Sequence, residues 1–137
     1  MPGPDPAHWL HRLTAAEWLA AADTELTHAE AALARRAIRP AITHARRAAG
    51  MAWNGVLVAA PANGFADSFG RSYMEHVVAL SHDQPSIPDH VAAAARVLRD
   101  TPARSPELVT LGKVDPGALD AARAIVAYAR LQVRENG

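Results

Sequence analysis

Residues 14–60 read "TAAEWLAAADTELTHAEAALARRAIRPAITHARRAAGMAWNGVLVAA", and the spacing of apolar side chains in this stretch decides the fold. Thr14 followed three residues later by Glu17 is a capping box, the signature of a helix start. Leu19, Ala22, Leu26, Ala29 and Leu33 then recur at steps of three and four, one apolar stripe along a helix near 15–36. Pro40 suits the first turn of a second helix, where its missing N–H loses no hydrogen bond. Ile42, Ala45, Ala49, Ala52 and Val56 carry the rhythm on, with Trp53 and Leu57 beside them, to about residue 60. The short arginine-bearing link makes the pair an antiparallel hairpin. Gly50 sits inside the second helix at a cost in propensity, which implies close backbone approach or a bend there.

Outward from the hairpin, Pro61, Asn63 and Gly64 break the second helix. A third, shorter helix is expected over 70–80. A fourth covers 88–100, with Ser86 as cap and Pro88 in its first turn. "TPARSPELVTLGK" reads as irregular. Asp115 as cap and Pro116 at the first helical position open a fifth helix over 116–132, whose buried stripe is Leu119, Ala122, Ile125, Val126 and Ala129. Few segments look like strands, and alanine, the best helix former, dominates. The expected fold is all-α, an antiparallel up-and-down bundle of four to five helices. Residues 13–133 form a single bundle domain, residues 1–12 a flexible arm and residues 134–137 a tail.

The chain has 137 residues, enough for one core without staples. It lacks cysteine, which excludes disulfides, thiol catalysis and thiolate metal sites and suits a cytoplasmic protein. Its formal net charge is zero, so no global field draws it to nucleic acid or membrane. No apolar run is long enough to span a bilayer, and the proline-rich start "MPGPDPAHWLHRL" does not read as a signal peptide. Nor is there a phosphate-binding loop: "NGFADSFGRS" lacks the lysine and spacing. His8 with His11 and His82 with His90 lack supporting ligands, so neither a metal nor a cofactor is expected. Trp18 and Trp53 fall near the apolar stripes and read as core or dimer interface.

Four stretches in this order, "AAEWLAAADTELTHAEAAL", "AITHARRAAGMAWNGVLVA", "IPDHVAAAARVLRDTPARSPEL" and "DPGALDAARAIVAYARLQV", with a histidine-bearing segment around His76 between the second and third, resemble the HEPN family of small bacterial and archaeal helical proteins. The resemblance runs over residues 15–133. It implies a helical-bundle dimer linked to nucleotide or RNA binding, with some members cutting RNA as toxins and others sitting beside a small nucleotidyltransferase partner. Relatives often carry Gln-Gln or Glu where this chain reads "RRAAGM", and a tyrosine-rich irregular segment where this one has no tyrosine, so the resemblance is to a divergent member.

Two sets of residues are candidate sites. In "RSYMEH", Arg71 and His76 are separated by four residues, the spacing of the family's nuclease members. Histidine can move a proton near neutral pH, and arginine can meet charge growing on a phosphate. Residues five apart on a helix point about 140° away from one another, so this pair would need a helix end or a dimer partner to converge. The second set is Arg35, Arg36, Arg39, His44, Arg46 and Arg47, a surface suited to phosphate at the hairpin tip, or a solvated helix end balanced by acids elsewhere. Three functions follow: a HEPN-like nucleotide- or RNA-binding module, a metal-independent endoribonuclease using Arg71 and His76, or a helical interaction protein with no nucleic-acid role. Binding or interaction ranks above catalysis because of the awkward helical spacing.

Overall fold

Thr14 opens the first helix as its sequence requires. Its Oγ1 accepts from the Glu17 N–H at 3.1 Å, and Glu17 Oε1 accepts from the Thr14 N–H at 2.9 Å. A computed structural model describes residues 10, 12–59, 70, 72–102 and 116–136. Five helices occur among them: α1 Ala15–Ala34, α2 Ile38–Ala59, α3 Tyr73–Leu80, α4 Asp89–Asp100 and α5 Gly117–Asn136. No strand occurs among the described residues. The protein is an all-α bundle. Thr14→Ala removes both capping bonds, and a loss of about 1 kcal/mol is expected in chemical denaturation.

α2 is the centre. It packs on α1, α3 and α5, while α4 bridges α3 and α5. Every residue from Ala48 to Leu57 is buried, so this segment presents no solvent face. The small residues inside it let neighbours approach. A Cβ on Gly50 would lie 2.3 Å from Tyr73 Cβ and 2.6 Å from Tyr73 Cα, so α3 crosses α2 at this glycine. The stripes expected on α2 and α5 are all buried. On α1, Leu19, Ala22 and Ala29 are buried, with Leu26 and Leu33 half-buried. Trp18 and Trp53 fill the interior at 2% exposure each. Trp18 Nε1–H donates to the Leu10 carbonyl at 2.8 Å, and Leu10 is itself buried, although it falls in the stretch expected as a flexible arm. Residues 1–9 lie outside the described residues.

Several boundaries differ from expectation for local reasons. α3 begins at Tyr73 because Ser72, with extended backbone, caps it by accepting from the Glu75 N–H at 3.0 Å. Ser86 does not cap α4: Pro88 occupies the N-cap position and makes no side-chain capping bond. α5 starts at Gly117, just after Pro116, and continues to Asn136, beyond the expected end at 132. Asp115, the expected cap of α5, lies outside the described residues.

The α1–α2 link is a Schellman turn. Ala37 N–H reaches Ala32 O at 2.8 Å and Arg36 N–H reaches Leu33 O at 2.9 Å. This turn places Arg36 at φ 61°, the left-handed position that glycine usually fills.

Candidate functional site

The two sequence candidates fare differently. Arg71 lies outside the described residues. His76 faces inward from α3 and is 0% exposed. Its Nε2 lies 2.7 Å from Asn54 Oδ1 on α2, and Asn54 is also 0% exposed. Asn54 Nδ2 makes no hydrogen bond among the described residues. The buried ring ties α3 to the central helix.

The six basic residues of the hairpin divide into three roles. Arg46 reaches across to α4, donating from Nε to Leu98 O at 2.9 Å and from Nη2 to Thr101 O at 2.7 Å. Those carbonyls belong to the end of a helix, where acceptors lack intrahelical partners, so Arg46 is a brace rather than an exposed cation. His44 and Arg47 converge on one carboxylate. His44 Nδ1 lies 2.5 Å from Glu25 Oε2, and Arg47 Nη2 lies 3.2 Å from Oε1. Glu25 is 8% exposed, and two basic partners are what a carboxylate needs to remain there. Arg35, Arg36 and Arg39 are exposed, and none forms an ion pair among the described residues.

The zero net charge conceals this imbalance, because many acids are taken up elsewhere. Asp23 pairs with Arg130 at 2.6 Å, and Glu30 and Asp120 both pair with Arg123. Asp83 pairs with Arg96. Asp100 pairs with Arg99, whose hydrogen bonds hold the Asp100 carboxyl below its usual range while the same bonds raise the guanidinium. Among the described residues, Arg35, Arg36 and Arg39 at the tip have no acidic partner.

The sequence reading missed Glu25 and His28. His28 stacks on His44 with ring centroids 5.2 Å apart and planes at 29°. The signal was present: Glu25 and His28 are three apart on α1, His44 and Arg47 three apart on α2, and both pairs stand equally far from Arg36 in the turn. An antiparallel hairpin therefore sets 25 beside 47 and 28 beside 44. On the neighbouring side of α2, a concavity of about 370 Å³ is lined by Thr43, Arg46, Arg47, Ser72, Tyr73 and Met74. It brings part of the basic set beside the start of the helix that carries His76. No group of three metal-ligating side chains occurs among the described residues, and no described helix is long and apolar enough to cross a membrane.

No protein-family model matches this chain, and neither a curated protein nor a solved structure does.

Proposed function

We propose that the protein is a binding module for phosphate-bearing ligands, nucleotide or RNA, and that Arg35, Arg36 and Arg39 at the α1–α2 turn are its principal contacts. The single observation that carries this reading is Arg36. It holds a left-handed backbone conformation, φ 61°, where a side chain costs about 1 kcal/mol and glycine costs nothing. Its side chain makes no ion pair among the described residues to offset that cost. A cation kept at a strained position, with two more exposed beside it, suits a forked donor aimed at an outside anion. The HEPN-like resemblance points the same way and brings with it a homodimer or a nucleotidyltransferase partner. The endoribonuclease reading through Arg71 and His76 gains no support from a ring enclosed on Asn54.

Arg36→Gly separates strain from function. The variant is expected to be more stable by about 0.5–1 kcal/mol, because glycine removes the left-handed penalty while gaining some unfolded-state entropy. It is expected to bind a short single-stranded RNA roughly fivefold more weakly, the equivalent of about 1 kcal/mol. Thermal melts and fluorescence anisotropy check the two halves. Unchanged affinity in the more stable variant counts against the proposal.

A further inference from the structure

The Glu25–His44–His28 cluster has no part in the reading of the turn arginines, yet it lies on the same hairpin. His44 is five residues past Arg39, about 7.5 Å along the helix axis. We propose that this cluster is a proton-coupled phosphate receptor, a second contact for the ligand whose phosphates the turn arginines bind. It rests on that reading, because the turn arginines bring the ligand there.

The coupling follows from which atoms can donate. A carboxylate only accepts, so His44 Nδ1 carries a proton toward Glu25 Oε2. In a neutral imidazole the other nitrogen, Nε2, is then an acceptor. The ionised oxygens of a phosphodiester are acceptors too. His44 therefore offers a phosphate nothing until Nε2 gains a proton, and binding and protonation occur together. Its side chain is 29% exposed.

The surrounding charge favours an anion as that proton arrives. From α1 the facing groups are Glu25 and His28; from α2 they are His44 and Arg47. α5 contributes no unpaired charge among the described residues here: Arg130 and Arg123 are held by Asp23 and Glu30, which flank the cluster along α1. Arg47 already balances Glu25, so each proton taken up by a histidine leaves the cluster net positive. Two protonated rings with centroids 5.2 Å apart repel. A phosphate over the stack relieves that repulsion, so ligand and protons enter cooperatively. By linkage, a ligand that enters together with a proton binds more tightly as pH falls.

The test is fluorescence anisotropy with a short single-stranded oligoribonucleotide at constant ionic strength, at pH ~5.5 and pH ~7.5. Wild-type protein is expected to bind about tenfold more tightly at the lower pH, the yield of roughly one linked proton over part of its titration. His28→Gln, at an exposed position, is expected to reduce the ratio without moving the melting temperature. His44→Gln, which keeps an N–H donor for Glu25, is expected to flatten it below about twofold. Competition by adenosine 5′-monophosphate whose pH ratio is lost in His44→Gln assigns the receptor to a terminal phosphate, the variant serving as reference because that phosphate itself titrates near pH ~6. The ratio seen with RNA alone assigns it to the RNA backbone, and either result supports the inference. Equal wild-type affinity at both pH values, still dependent on Arg35, Arg36 and Arg39, overturns the receptor and leaves the turn reading standing. A wild-type ratio retained in both histidine variants also overturns it. No binding at either pH overturns both.

Discussion

Gly50→Ala is expected to lower the melting temperature by about 10 °C, the thermal counterpart of roughly 2–3 kcal/mol in a chain of this size. The new Cβ would meet Tyr73 Cβ at 2.3 Å and Tyr73 Cα at 2.6 Å. Neither atom can swing aside as the end of a long side chain can. The relief is displacement of α3, which also carries His76 off Asn54. Alanine's better helix propensity, worth about 1 kcal/mol, does not offset that. Gly55→Ala is the control. Its Cβ would come no nearer than 3.2 Å, to the Ala15 carbonyl, and a change within about 1 kcal/mol is expected. Equal effects at the two glycines, read by calorimetry, would contradict the close crossing at Gly50.

His76→Ala is expected to destabilise by about 4 kcal/mol, combining the cavity left by a fully buried ring with the desolvation of an amide that has lost its partner. Asn54 and His76 are both 0% exposed and joined at 2.7 Å. Removing His76 takes from the buried Asn54 amide the partner of its Oδ1, whereas replacing both by apolar groups of similar shape avoids that penalty. The double variant Asn54→Leu/His76→Leu is therefore expected to lose less than the sum of its single variants. It is also expected to bind RNA as the wild type does, since neither residue touches the turn. Additive losses in a double-mutant cycle, or RNA binding that disappears in a folded double variant, would return His76 to the functional surface.

Much of the bundle was legible because it rests on local periodicity. The stripes of α2 and α5 were read residue by residue, as was the capping box at Thr14 and Glu17; the turn after α1 was expected between 36 and 40, whereas α1 ends at Ala34 and α2 starts at Ile38. Gly50 signalled either a close approach or a bend, but not which, nor with what partner. Its partner Tyr73 is far along the chain, and only the fold sets them together. The span of α4 was legible but its cap was not: Ser86, two residues before Pro88, resembles a cap, yet Pro88 itself takes that position. The site was less legible for the same reason. Arg35, Arg36, Arg39, His44, Arg46 and Arg47 look alike as a run of bases. Arg46 bonds carbonyls at Leu98 and Thr101, more than fifty positions away in sequence, and His44 and Arg47 share a carboxylate from the opposite helix. Three arginines remain on the surface, and one of them reveals itself only by its backbone angle.

Contact between the turn arginines and phosphate shows itself in the salt dependence of RNA binding at pH ~8, above the ordinary histidine pKa. Each phosphate neutralised on a single strand releases roughly 0.7 of a counterion, so three arginines predict a slope of about −2 in log K against log salt. The variant Arg35→Ala/Arg36→Ala/Arg39→Ala is expected to bring that slope near zero while keeping the helical circular dichroism of the wild type. A wild-type slope near zero, or a slope of about −2 that survives in the triple variant, would contradict the account.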